Sequence, residues 1–85
     1  MATSTITKPL NLVTETLTGT MGSSQYQGYY YLNLTTSKSI SNLVGVVLTT
    51  SSAYYPAFWV TIPGGIRVYS SKSNFDVSAR LIFMQ

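Results

Sequence analysis

The chain has 85 residues, enough for one domain with a modest core, since a chain this short buries only roughly 60 to 65% of its unfolded surface. It has no Cys and no His, and its only carboxylates are Glu15 and Asp76, so a disulfide framework, a thiolate nucleophile, the usual zinc ligands and the ordinary general base of a serine hydrolase are all missing. Charged residues make up 8% of the chain, and the net charge of +3 comes from Lys8, Lys38, Arg67, Lys72 and Arg80, which are scattered where a nucleic-acid binder would cluster them on one face. This inventory argues against an enzyme, a bound metal or cofactor, and a nucleic-acid partner. Polarity rests instead on 12 Ser and 12 Thr.

Residues 1–9 read as a Ser/Thr-rich lead-in or tether without the apolar segment of a signal peptide, and residues 10–85 as a single β domain. No apolar run approaches the roughly 18 residues of a spanning helix, so membrane insertion by a helix is not expected. Leu10 to Thr18 is rich in Thr, Leu and Val and reads as a strand. Gly19 to Gly28, with three Gly and two Ser, reads as a long loop that presents Tyr26. Tyr29 to Thr36 is a strand with Tyr30, Leu32 and Leu34 inward and Tyr29, Tyr31 and Asn33 outward. Asn33, Leu34 and Thr35 form a glycosylation triplet, but nothing else points to a secretory route.

After a turn over Thr35 to Asn42, Leu43 to Thr50 is apolar on both faces, the pattern of a central strand, with Gly45 marking a bulge or a close approach. Ser51 to Pro56 is a turn carrying Tyr54 and Tyr55. Ala57 to Ile62 resumes as a strand with Phe58, Val60 and Ile62 inward and Trp59 outward. Pro63, Gly64 and Gly65 turn the chain into Ile66 to Ser70, with Ile66 and Val68 inward and Arg67 and Tyr69 outward. Ser71 to Asn74 would close a hairpin onto the last strand, setting Val68 against Val77, Ile66 against Ala79, Tyr69 against Asp76 and Arg67 against Ser78.

The strongest signal comes last. Phe75, Val77, Ala79, Leu81 and Phe83 alternate with Asp76, Ser78, Arg80, Ile82 and Met84, a period of two that only an extended chain sorts onto two faces. Apolar residues nowhere recur at spacings of three and four. The fold predicted is therefore all-β, a small antiparallel β-sandwich or barrel of about six strands with no significant helix.

Seven Tyr, three Phe and one Trp are a heavy aromatic load. Tyr30, Phe58, Phe75 and Phe83 are assigned to the core. Tyr29, Tyr31, Trp59, Arg67 and Tyr69 fall on outer faces, where an aromatic patch marks a binding surface. A second copy of the chain would cover Tyr29, Tyr31, Tyr69, Ile82 and Met84 at an oligomer interface. A sugar would suit Tyr26, Tyr54, Tyr55 and Trp59, whose rings offer flat apolar faces with a polar edge.

The C-terminal run GGIRVYSSKSNFDVSARLIFMQ resembles the tip domains of bacteriophage tail fibres and related receptor-binding proteins. That resemblance implies a homotrimeric β-structured knob, virion-borne or otherwise extracellular, that recognises a cell-surface polysaccharide or surface protein. It carries no shared set of binding residues. A free-standing lectin-like or cell-wall-binding module, and a ligand-free trimerisation or capping domain, are the alternative readings.

Overall fold

The computed structural model describes residues 11–51 and 56–85. The lead-in at 1–9 and the ligand candidates Tyr54 and Tyr55 lie outside the described residues. The described residues form seven strands: β1 (Leu12–Met21), β2 (Gln25–Tyr26), β3 (Tyr29–Thr35), β4 (Leu43–Thr50), β5 (Ala57–Ile62), β6 (Gly65–Ser70) and β7 (Phe75–Met84). The helical content of the described residues is one 3-10 turn, Ile40–Asn42, before β4. The strands form two antiparallel sheets, one of order β1-β7-β4 and one of order β2-β3-β6-β5. β1 packs over β3 and β4 over β5, giving a sandwich.

The alternation of β7 is realised along its whole length: Phe75, Val77, Ala79, Leu81 and Phe83 are all buried and the residues between them are not. β7 is the central strand of its sheet, flanked by β1 and β4. Its inward row meets Leu34, Ile66 and Val68 of the other sheet, and Met21 at the end of β1 joins the same cluster. Burial of side chains such as Leu81, Phe83 and Ile66 stabilises the fold by about 1.5–3 kcal/mol each, so this cluster is the main source of stability in a domain with no disulfide.

Several sequence expectations are corrected. The loop predicted at Gly19 to Gly28 is mostly structured. β1 continues to the fully buried Met21, and a two-residue turn of Gln27 and Gly28, with φ of 53° and 85°, pairs Tyr26 with Tyr29. Positive φ at both turn positions is the hairpin geometry that matches strand twist.

The predicted hairpin between Ile66–Ser70 and the last strand does not form, because β6 and β7 belong to different sheets. Ile66, Val68, Val77 and Ala79 do face inward, but they meet across the sandwich. Tyr69 therefore lies opposite Tyr31 and Phe58, and Arg67 opposite Asn33 and Val60. Residues 71–74 form a corner instead. Ser70, 1% exposed, donates its hydroxyl to Pro56 O at 2.7 Å and accepts from Lys72 N at 3.1 Å. Asn74, at φ 60°, donates its backbone N–H to Met21 O at 2.7 Å. These bonds satisfy a buried hydroxyl and tie the corner to both sheets.

Leu43–Thr50 is an edge strand, not a central one, and its outward Val44 and Val47 are exposed. The irregularity expected at Gly45 is present, as a register shift between Leu43 and Gly45. Finally, β5 faces the opposite way from its predicted parity. Trp59 packs against the core, while Phe58 and Val60 are exposed. Across the Pro63–Gly64 turn Ile62 pairs with Gly65, so Trp59 must pair with Val68 and share its buried face. The register set by the turn outweighs the larger apolar total of Phe58, Val60 and Ile62.

Candidate functional aromatic face

The outer face of the β2-β3-β6-β5 sheet gathers five aromatic residues, Tyr26, Tyr29, Tyr31, Phe58 and Tyr69. Pairing sets Tyr31, Tyr69 and Phe58 in one row across three strands, with Asn33, Arg67 and Val60 in the next row and Tyr26 beside Tyr29 at the β2–β3 hairpin. β-branched and aromatic residues favour the pleated surface, so composition and geometry agree locally.

Two groups can be separated on this face. In the first, Phe58 stacks on Tyr69 with ring centroids 5.3 Å apart and planes at 24°. Tyr29 leans over to meet Phe58 edge-on at 5.3 Å and Tyr69 at 6.3 Å. Offset-stacked and edge-to-face pairs at these separations contribute about 0.5–1.5 kcal/mol each beyond their buried area. The rings thus hold one another in place while Tyr29 and Phe58 stay exposed. Tyr26, Gln27, Tyr29, Phe58 and Tyr69 border an open cleft of about 190 Å³.

In the second group the guanidinium of Arg67 sits over the ring of Tyr31, 4.7 Å from its centroid, and 6.0 Å from that of Tyr26. Its Nε–H donates to Asn33 Oδ1 at 2.7 Å. A guanidinium over two rings and hydrogen-bonded along one edge is oriented before any partner arrives. Neither carboxylate of the chain shares this face, because Glu15 points inward from β1 and Asp76 lies on the outer side of the other sheet.

Of the ligand candidates, Tyr26 belongs to this face. Trp59 does not, since its ring is turned toward the core, which corrects its outward assignment. The five interface candidates divide between opposite faces of the sandwich. Tyr29, Tyr31 and Tyr69 lie on the aromatic face. Ile82 and Met84 lie on the outer side of the three-stranded sheet, where Met84 pairs with Leu12 and Ile82 with Gly45, beside exposed Val44 and Val47. No single flat interface can include all five.

Sequence reasoning missed Phe58, which it placed in the core, and the bond between Asn33 and Arg67. The signal for Phe58 was present: a two-residue turn at Pro63–Gly64 makes Phe58 the partner of the outward Tyr69. Counting Gly65 into the turn concealed that parity.

A larger open depression, about 500 Å³, lies on the outer side of the other sheet and is bordered by residues including Thr18, Thr20, Thr49, Ser51, Asp76 and Ser78. Asp76 accepts from Thr20 Oγ1 at 3.0 Å and its N–H donates to Ser51 Oγ at 3.1 Å. With no ring on its border and its carboxylate engaged, it lacks the features that single out the aromatic face. Among the described residues no group of His, Cys, Asp or Glu could hold a metal ion. No described helix is long and apolar enough to cross a membrane.

The chain is thus an all-β domain of two antiparallel sheets with one aromatic outer face. Comparison with protein-family models, curated proteins and solved structures finds no match.

Proposed function

We propose that the chain is a non-enzymatic recognition module, the homotrimeric tip of a bacteriophage tail fibre or of a similar host-attachment structure, that binds cell-surface glycan through its aromatic face. The observation that carries this reading is the assembly of Tyr26, Tyr29, Tyr31, Phe58 and Tyr69 on one outer face. Five rings on one side of a small sheet form the kind of exposed apolar surface that marks a partner site, and ring faces with hydroxyl edges match the alternating apolar and hydroxyl surface of a pyranose. The resemblance of the C-terminal run to fibre tips supports the host-attachment setting. The apolar end of the other sheet, formed by Leu12, Val44, Ile82 and Met84, supplies a separate surface for sister protomers, so ligand and oligomer need not compete.

Binding to a glycan array, followed by titration of the best hit, tests the ligand. Tyr29→Ala and Tyr69→Ala should each weaken binding by about 10-fold or more if these rings are central contacts. Binding that neither substitution changes would place the ligand elsewhere. Light scattering tests the assembly. A particle three times the 9.3 kDa protomer mass supports the trimer, and a monomer would favour a free-standing lectin-like module.

A further inference from the structure

We infer that the saccharide recognised on the aromatic face carries a carboxylate, as a uronic or sialic acid does, and that Arg67 is the residue that reads it. This rests on the glycan-binding reading above and adds the charge class of the ligand. Arg67 lies on β6, an inner strand of the sheet, half-buried among Tyr26, Tyr31 and Asn33. Its Nε–H is taken by Asn33 Oδ1 at 2.7 Å, and its guanidinium carbon lies 4.7 Å from the Tyr31 ring centroid. These contacts use one edge and one face of the group. The outer fork of terminal nitrogens has no carboxylate partner among the described residues, since Glu15 and Asp76 both lie in the other sheet.

A planar guanidinium with a free fork matches a carboxylate in two parallel hydrogen bonds, which a lone lysine or a hydroxyl cannot supply. The rings supply the complementary requirement. Phe58, Tyr69 and Tyr29 lie in the adjoining row and hairpin, so a sugar stacked on them can present a ring carboxylate toward Arg67. The net charge of +3 adds long-range attraction for an acidic polymer.

The test uses the full chain on a glycan array in which each uronate or sialylated saccharide is printed beside its carboxyl-reduced, neutral counterpart, with sulfated saccharides as a third arm. The expected result is binding to an acidic member that falls about 10-fold or more on carboxyl reduction, the loss a charge-assisted pair supports, and that weakens between 0.05 and 0.5 M salt as screening of this partly exposed charge grows, roughly as the Debye length shortens. Arg67→Gln should remove the preference for the acidic member, with circular dichroism confirming the fold. Equal binding of both members overturns the carboxylate inference while leaving glycan recognition standing. Sulfated saccharides bound as tightly as carboxylated ones overturn the choice of carboxylate. Absence of all saccharide binding overturns both readings. Should Arg67→Gln fail to fold, the paired comparison on the unaltered protein still decides.

Discussion

Gly65 begins β6 and holds the register of the strand that carries Arg67 and Tyr69, so its replacement by alanine tests both the fold and the construction of the aromatic face. A Cβ at this position would collide with the carbonyl oxygen of Leu34 and stand 2.9 Å from Thr35 Cα and 3.0 Å from Leu34 C. These are backbone atoms of β3, which no side-chain rotation can move aside. Restoring ordinary carbon contacts of about 3.5 Å or more requires β3 to retreat by roughly 1 Å at this pair. The adjacent bond from Thr36 N to Gly64 O, 2.9 Å long, lies in the path of that movement. Overpacking of about 1–3 kcal/mol, together with one or two weakened hydrogen bonds of about 0.5–1.5 kcal/mol each, gives a loss of about 1.5–6 kcal/mol. That is a large share of what a domain of this size has, given roughly 0.05–0.15 kcal/mol per residue.

Gly45 provides the control. Nothing lies within 4 Å of a Cβ built there, and its φ is not in the left-handed region. Gly45→Ala should be neutral or stabilising by up to about 1 kcal/mol, through the unfolded state. Urea unfolding followed by Trp59 fluorescence and far-ultraviolet dichroism measures both variants. Stability of Gly65→Ala within about 0.5 kcal/mol of the parent, the scatter of ordinary surface changes, would refute the close approach of β3 and β6.

Glu15 faces inward opposite Leu81, and its Oε1 is buried without a hydrogen-bond partner. Glu15→Leu should therefore stabilise the domain by about 1–2 kcal/mol, read as a rise of several degrees in Tm, and an unchanged or lower Tm counts against it. The stack between Phe58 and Tyr69 should appear in a double-mutant cycle to alanine as a coupling of about 0.5–1.5 kcal/mol, and a coupling lost in the error of about 0.3 kcal/mol would show that the rings act independently. Ile82→Glu combined with Met84→Glu should convert the proposed trimer to a 9.3 kDa monomer with an unchanged dichroism spectrum, and an unaltered particle size would remove that face from the interface.

The conformation of each segment and, for most strands, the side that faces inward are set by neighbouring residues along the chain. The alternation in Phe75–Met84, the presence of a turn after Ile62, the irregularity at Gly45 and the outward setting of Tyr29, Tyr31, Arg67 and Tyr69 are properties of a few successive residues in an extended chain, and they can be read locally, although Gly65 belongs to the strand and not to the turn. Which strands are neighbours depends instead on contacts between segments far apart in the chain. Whether Val68 meets Val77 along a ladder or across a sandwich makes no difference to its inward parity, and closing one loop rather than another changes the entropy only slightly, so the local pattern left both open. That choice moved Leu43–Thr50 from centre to edge and set Asn33 beside Arg67 across 34 residues of chain, whereas the orientation of Trp59 and Phe58 follows from the local turn at Pro63–Gly64. The aromatic face is therefore a product of strand pairing: its residues were visible one by one, and their assembly was not.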